Sequence, residues 1–275
     1  MRSSRIAVAV LAFTCLAAMA IPQENPFFQF KVSGSFNNSE KASLSGWFIV
    51  NGNNGHVVRA DIFHGARELA SLPIIEQAWG GDYSLYLSNS QHDTLSLIFA
   101  APNNDGSLAD YRGGDICSNL SPDCEGLESV FFGGYVSYDT EDLVYVGSIS
   151  NAGPVPIVGI AIKPHGDGTA LINPRSHVLS TIAIISSRKF DALAEIDTQA
   201  LTFGPTGTEQ SITSCDKGGR DVNNDQVPDL ICHFNSRLTR FLPSESLGIL
   251  VGKTLQGSPF IGLEKVVVKP LWDRR

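Results

Sequence analysis

The sequence has little positive charge and no long apolar run after its first twenty residues. Lys and Arg number 20 against 28 Asp and Glu, so the formal net charge is −8. The imbalance lies in residues 21–150, which carry 5 Lys and Arg and 16 Asp and Glu. Nucleic-acid binding requires a basic surface, and a transmembrane helix needs roughly 20 apolar residues. The composition therefore predicts no nucleic-acid partner and no membrane span.

Methionine and stretches of helical periodicity are also scarce, whereas aromatic residues, β-branched residues and glycine are abundant. The chain has 2 Met against 15 Phe and 26 Gly. Short segments alternate between apolar and polar residues, and clusters such as 51–55 are of the Asn-Gly type that joins β-hairpins. We predict an all-β protein with two β-sandwich-like domains in tandem.

The first twenty residues have the features of a secretory signal peptide. Two Arg precede an uncharged segment over 6–20, which ends in Ala18-Met19-Ala20. We expect residues 1–20 to be removed and the mature protein to be secreted, either extracellular or periplasmic. Pro and Gly in 151–156 then indicate a linker between an N-terminal domain, 21–150, and a C-terminal domain, 157–275.

Four cysteines remain after the predicted cleavage, and an even number in an exported chain indicates disulfides. Three pairings are possible. Proximity in sequence and one pair in each half favour Cys117–Cys124 and Cys215–Cys232. Zinc binding by these thiols is less favoured, because no His/Cys spacing matches a zinc site.

An acidic loop over residues 221–229 is the only stretch that indicates a specific chemistry. Its candidate calcium ligands are four side-chain oxygens and one backbone carbonyl: Asp221, Asn223, Asp225 and Asp229, with Val227. Positions 1, 3, 5, 7 and 9 of a short loop can wrap around Ca²⁺, which takes six to eight oxygen ligands. The alternative is a turn rich in Asn and Asp without a metal.

The loop departs from an EF-hand at two positions. Gln226 occupies position 6, where the sharp turn prefers Gly, and Cys232 occupies position 12, where an EF-hand has a bidentate Glu. The segment that follows is of β type. We therefore expect a calcium loop that leads into a strand, and not a helix–loop–helix sensor.

No motif identifies a catalytic centre. His56, Asp61 and His64 are close in sequence, but alternation along a strand places Asp61 on the opposite face from both His residues; we expect an ordinary solvent-facing strand. No Gly-x-Ser-x-Gly elbow occurs. Aromatic side chains that could stack on sugar rings are Trp47, Trp79 and Tyr111.

A series of short motifs runs through the second half, at 160–164, 172–176, 181–184, 190–191, 196–197, 203–209, 221–229, 233–234, 250–254 and 257–262. In order and spacing, over about 110 residues, these motifs resemble a calcium-loop β-sandwich module that recurs at the C-terminus of exported bacterial proteins. The module's acidic loop has the pattern Asp-x-Asn-x-Asp-Gly, from which this chain departs at Gln226. The resemblance implies no catalytic role.

The first half resembles, more loosely, a β-rich domain of exported bacterial proteins of the PEP-CTERM type. The likeness is carried by segments at 33–36, 44–48, 80–89 and 133–137. The sequence has no stretch that resembles the PEP-CTERM sorting tail. From residues and resemblance together we expect a secreted, non-catalytic binding or surface module that is stabilised by Ca²⁺ and binds an unidentified glycan or protein. The alternative is an extracellular hydrolase on a β-scaffold.

Overall fold

The computed structural model describes residues 25–36, 42–69, 75–79, 82–90, 93–100, 102–103, 105–117, 129–134, 142–163 and 170–269. The predicted signal peptide lies outside these ranges. Cys124 and the side chain of Cys117 also lie outside the description, so the Cys117–Cys124 disulfide stays a prediction.

The described residues form twenty strands, a short α-helix and one 3-10 turn. In the first half the strands are β1 Phe27–Phe36, β2 Ser43–Asn51, β3 Val57–His64, β4 Arg67–Glu68, β5 Ile75–Trp79, β6 Asp82–Ser88, β7 Asp93–Ala100, β8 Gly113–Cys117, β9 Ser129–Gly134 and β10 Asp142–Pro154. In the second half the elements are β11 Ile157–Val158, β12 Ile160–Ile162, β13 Leu171–Ile172, β14 Leu179–Ile184, helix α1 Ala192–Glu195, the 3-10 turn Thr198–Ala200, β15 Thr202–Gly204, β16 Ile212–Cys215, β17 Leu230–Asn235, β18 Leu247–Lys253, β19 Pro259–Lys265 and β20 Val267–Val268.

The predicted all-β class is confirmed, with 55% of the described residues in strands and 4% helical. The first half contributes one ten-stranded sheet in the order β4-β3-β2-β1-β10-β9-β7-β6-β5, with β8 also paired to β10. The second half contributes two four-stranded sheets, β11-β19-β18-β15 and β12-β14-β17-β16, and the pair β13-β20. None of these described sheets contains strands from both halves.

The first half is a two-layer structure, because its sheet folds back on itself around one apolar core. Inward residues of β1, β2 and β3 meet inward residues of β6 and β7 in this core. Phe48 on β2 packs edge-on against Phe99 on β7, with ring centroids 5.5 Å apart. Aromatic pairs in this geometry stabilise the fold by more than the burial of their apolar area alone would.

The second half is a sandwich of its two four-stranded sheets. Its core combines Ile182 and Phe234 from one sheet with Phe203 and Leu250 from the other. The rings of Phe203 and Phe234 lie 5.4 Å apart across the two layers. Gly262 on β19 is required by this packing, since a Cβ atom there would lie 2.5 Å from Ile160 Cγ2.

A third apolar cluster joins the two halves. It consists of Phe27, Trp47, Ile49 and Val58 from the first half and Val155, Ile249, Val251 and Ile261 from the second. The sheet β11-β19-β18-β15 is therefore covered on both faces, and so is the β1-β2-β3 layer. Strands buried on both faces have continuous apolar sequences instead of alternating ones, as 47–50 and 249–251 do.

The segment predicted as a linker is mostly strand. Residues 151–154 belong to β10 and pair with β1, up to the pair Phe28–Pro154. Only Val155 and Pro156 connect the sheets of the two halves. That the two halves fold independently stays a prediction. Within the described residues, no helix has the length and apolar character needed to cross a bilayer.

Candidate functional site

The acidic loop lies between β16 and β17 and is closed at its base by covalent and backbone links. The predicted pair Cys215 and Cys232 forms a disulfide between directly opposed residues of β16 and β17. Nearer the loop, Arg220 and Asp229 exchange backbone hydrogen bonds of 3.1 and 3.0 Å. The loop is therefore a closed excursion from an antiparallel pair and leads into a strand, as expected.

Three of the predicted calcium ligands, the half-buried Asp221 and the exposed Asn223 and Asp225, fold the loop through hydrogen bonds to its own backbone. Asp221 accepts from the amides of Asp225 and Gln226 at 3.2 and 2.8 Å. Asn223 Oδ1 accepts from the Asp225 amide at 3.1 Å, and Asp225 Oδ1 accepts from the Val227 amide at 2.8 Å. An ionised carboxylate offers about four acceptor sites, so these oxygens retain capacity for a cation.

Asp229 differs from the other predicted ligands because it is fully buried. Its Oδ1 accepts from the Ser186 amide at 2.8 Å, and its Oδ2 accepts from the Val222 amide at 2.8 Å. The carboxylate thus anchors the start of the acidic loop to the end of β14. Asp191, which could have supplied a further ligand, caps α1 by accepting from the amides of Leu193 and Ala194.

The backbone of the acidic loop adopts the left-handed conformation at two residues. Asn224 has φ 62° and Gln226 has φ 69°. Position 6 therefore has the conformation for which Gly is preferred, although Gln occupies it. Within the described part of the chain, no group of three or more His, Cys, Asp or Glu side chains is arranged to hold a metal. The hard-oxygen set of Asp221, Asn223, Asp225 and the Val227 carbonyl still suits Ca²⁺ in its chemistry.

A charged cluster at the interface of the two halves was not expected from the sequence. Lys253 on β18 donates to Asp61 Oδ2 and to Glu68 Oε1, both at 2.8 Å. Asp61 is 1% exposed, whereas the Glu68 side chain is 48% exposed. Arg59 on the same face of β3 donates through Nη1 to the Ala200 carbonyl. Among described residues, Arg59 Nε and Asp61 Oδ1 are buried without a hydrogen-bond partner.

Burial and pairing shift the protonation of this charged cluster in different directions. Burial raises the pKa of Asp61, against the influence of Lys253. The hydrogen bond from Lys253 lowers the pKa of the more exposed Glu68. Burial disfavours the charge on Lys253, but its two carboxylate partners outweigh burial and raise its pKa. Burial lowers the pKa of Arg59. Lys253 therefore remains a cation that holds two carboxylates of the first half.

The expectation that β3 faces solvent is wrong. Seven of its eight residues are buried, because one face packs in the first-half core and the other faces the second half. His64 is buried against Phe36, with ring centroids 4.3 Å apart. His56, by contrast, is exposed just before the strand. The structure does not bring His56, Asp61 and His64 together as a site.

Two aromatic residues considered for sugar stacking are buried. Trp47 is 7% exposed and donates from its indole nitrogen to the Gly257 carbonyl at 2.8 Å, across the interface. Tyr111 is 6% exposed and packs against Phe30 and Phe99. The side chain of Trp79 is not among those that the structure describes.

A cleft of about 450 Å³ lies between the two halves. It is lined by Asn51, Asn54, His56, Val57 and Val58 from the first half and by Pro205, Thr206, Thr208, Glu209, Gln210, Leu238 and Arg240 from the second. Small-molecule sites have volumes of roughly 300–1,000 Å³. Sequence reasoning missed the cleft because its two walls are more than 140 residues apart; the Thr206–Gln210 turn carries no recognisable binding motif.

Comparison with family models and with curated sequences identifies no relative of this chain. No family model matches the chain, and no curated protein is similar enough in sequence to count as a relative. The resemblances of the two halves to modules of exported bacterial proteins therefore stay predictions.

Proposed function

We propose that this chain is an exported, non-catalytic binding or surface module whose second half is stabilised by Ca²⁺. The observation that carries the proposal is the cleft between the halves. Its walls are mainly neutral polar side chains, and its single carboxylate, Glu209, already accepts three hydrogen bonds from Thr206 and Gly207. Such a surface supports binding better than proton transfer, which needs a group free to exchange its proton.

Calcium would be held at the acidic loop by Asp221, Asn223, Asp225 and the Val227 carbonyl. Asp229 would support the site without contacting the cation, since it fixes the base of the acidic loop by accepting from two backbone amides. The carboxylates of Asp221 and Asp225 repel each other in the absence of a cation, and a cation would give both a partner. With few ligands, we expect the affinity of extracellular modules, with Kd on the order of 10⁻⁴–10⁻³ M.

Thermal unfolding of the intact mature chain tests the calcium proposal. At a Kd of about 1 mM, 10 mM Ca²⁺ should stabilise the protein by about 1.4 kcal/mol relative to EDTA. That corresponds to a rise in Tm of about 3–6 °C for a protein of this size. Asp225→Asn should abolish the rise in Tm, because it removes the negative charge. The variant is conservative, since it keeps the side-chain oxygen that accepts from the Val227 amide. Asp115→Asn, at an exposed acid on β8, is the matched control and should leave the rise intact. Equal Tm values for the wild-type protein in EDTA and in Ca²⁺ would contradict the proposal.

The binding function is tested by probing glycan and protein arrays with the mature chain, with and without EDTA. Specific retention supports a binding module. The alternative of a hydrolase has one observation in its favour, since the exposed imidazole of His56 lines the same cleft as Glu209. Turnover of a retained ligand that is lost in His56→Ala would favour the hydrolase. Export is tested separately, because the N-terminal residue of the secreted protein should be Ile21.

A further inference from the structure

One wall of the cleft between the halves offers hydrogen-bond donors from two Asn side chains. Asn51 and Asn54 each use the side-chain carbonyl in a local turn, accepting from the amides of Asn53 and His56 at 3.0 Å. Their NH₂ groups are thereby the polar groups left to a ligand. Because each turn fixes its side-chain carbonyl, these donors are held in place before a ligand arrives.

The carboxylate of Glu209 does not make this cleft acidic. Glu209 is 7% exposed, and its oxygens accept from the Thr206 amide and hydroxyl at 3.2 and 2.6 Å and from the Gly207 amide at 2.9 Å. Three donors thus surround its negative charge. A ligand in the cleft would therefore contact a turn whose carboxylate is already hydrogen-bonded.

Arg240 gives the cleft a positive charge and is held in a strained backbone conformation. Its φ is 59°, in the left-handed region that non-glycine residues rarely adopt. Its side chain is exposed, and no hydrogen bond or ion pair of its guanidinium is seen among the described residues. Residues kept in such conformations cluster at ligand clamps. A guanidinium binds a carboxylate through two parallel hydrogen bonds.

The cleft also has an apolar part. Leu238, which is 50% exposed and two residues before Arg240, supplies it, whereas Val57 and Val58 are buried behind the wall. A ligand that suits all these groups has an apolar ring face, several hydroxyl or ether oxygens and one carboxylate. We infer that the cleft binds an acidic saccharide and takes one of its uronic acid units, with Arg240 as the partner of that unit's carboxylate. The inference rests on the proposed binding function and adds the class of ligand.

The test is calorimetric titration of the mature chain with trigalacturonate at pH 7. Arg240→Asn should weaken binding by about 10- to 100-fold, because a hydrogen-bonded charge pair is lost. Asn tolerates the left-handed conformation better than Arg, so the Tm of this variant should equal or exceed that of the wild type. Arg237→Asn removes a neighbouring exposed Arg that does not line the cleft, and should bind as the wild type does.

A second variant tests the opposite wall. Asn54→Asp keeps the oxygen that accepts from the His56 amide but replaces the NH₂ donor by a negative charge. It should also weaken binding of trigalacturonate, without lowering Tm. Loss of binding in both variants, with Arg237→Asn unaffected, supports the inference.

Three results would overturn the inference. One is equal binding of trigalacturonate by the wild type and Arg240→Asn. Another is equal affinity of the wild type for trigalacturonate and for neutral maltotriose. The third is no binding of trigalacturonate at millimolar concentration. Each of these outcomes leaves the broader binding function to be judged by the arrays, so the two failures are distinguishable.

Discussion

Replacing Lys253 by Met should lower the free energy of unfolding by about 3–5 kcal/mol at pH 7. Met keeps most of the aliphatic stem and removes the ammonium group that bonds Asp61 and Glu68 at 2.8 Å. Asp61, at 1% exposure, would then be a buried carboxylate without a cation within bonding distance. Removing one partner of a buried ion pair has a cost of this size.

The two carboxylates do not contribute equally to that loss. The Glu68 side chain is 48% exposed, so solvent screens its pairing with Lys253, which is worth at most about 1 kcal/mol. Nearly all of the destabilisation therefore comes from Asp61. For a chain of this size the loss corresponds to a fall in Tm of about 6–20 °C. Lys265→Met, at an exposed Lys of β19, is the matched control and should change the free energy of unfolding by less than about 0.5 kcal/mol.

The pH dependence separates lost charge pairing from lost packing. The pKa of Asp61 is already raised in the folded protein by burial, and without Lys253 it should rise further. A carboxyl whose pKa is higher folded than unfolded favours folding once it is protonated, so the variant should regain stability as pH falls below 7 through that raised pKa. In the wild type, the contribution of Lys253 has the same direction with pH but lies in the alkaline range. Its raised pKa means that the stabilisation is present below its ordinary value of 10.5 and is lost as pH rises through the folded pKa.

Urea unfolding of the wild type and of Lys253→Met at pH 7 and at pH 4.5 provides the measurement. The difference between the two proteins should shrink at pH 4.5, because a protonated Asp61 needs no counter-ion. A difference that is the same at both pH values would refute the electrostatic reasoning and assign the loss to packing. A difference below about 1 kcal/mol at pH 7 would show that Asp61 is neutral or hydrated in the wild type.

Two further predictions concern the acidic loop. Asp229→Asn replaces one of two acceptor oxygens by a donor, so one backbone amide loses its partner and the free energy of unfolding in EDTA should fall by about 1–3 kcal/mol; a loss seen only with Ca²⁺ present would instead make Asp229 a ligand. The double variant Cys215→Ala, Cys232→Ala removes a disulfide that closes 17 residues and should lose about 2–4 kcal/mol. Non-reducing urea titrations measure this loss, and a reducing agent should destabilise the wild type by more than the double variant, which keeps only the predicted Cys117–Cys124 pair.

Local sequence signals were sufficient to predict most of the strands. Residues 27–34 and 84–88 alternate between apolar and polar side chains, which predicts strands, and the structure has β1 at Phe27–Phe36 and β6 at Asp82–Ser88. The sequence of 190–197 is compatible with one helical turn, and the structure has α1 there, with Asp191 as its cap. These features depend on neighbours in sequence, which a pattern can record.

Strands with glycine or proline at their ends were missed. β8 begins at Gly113 and lies within 102–123, a segment whose composition is typical of a loop. β19 begins at Pro259 and contains Gly262, both of which suggest an interruption. The structure explains Gly262 by close packing against Ile160. Close packing between the two sheets therefore requires Gly at position 262, although Gly is disfavoured inside a strand.

The interface between the halves could not be predicted from alternation, but a signal for it was present. Apolar runs over 47–50 and 249–251 do not alternate, which indicates burial on both faces. Lys253 and Asp61 are 192 residues apart, so no local spacing could pair them. The cleft is unpredictable for the same reason.

The charged cluster and the cleft belong to one arrangement. An apolar interface tolerates several relative placements of two layers, whereas hydrogen bonds of 2.8 Å from one ammonium group to two carboxylates tolerate few. Buried ion pairs seldom add stability over apolar side chains of similar size, so the value of Lys253 and Asp61 lies in fixing where the second half meets β3. The 51–58 segment and the 205–210 turn line the cleft from opposite halves, so we expect this placement to set the width of the cleft. Lys253→Met should therefore weaken the binding of any ligand in the cleft, even though Lys253 does not line the cleft.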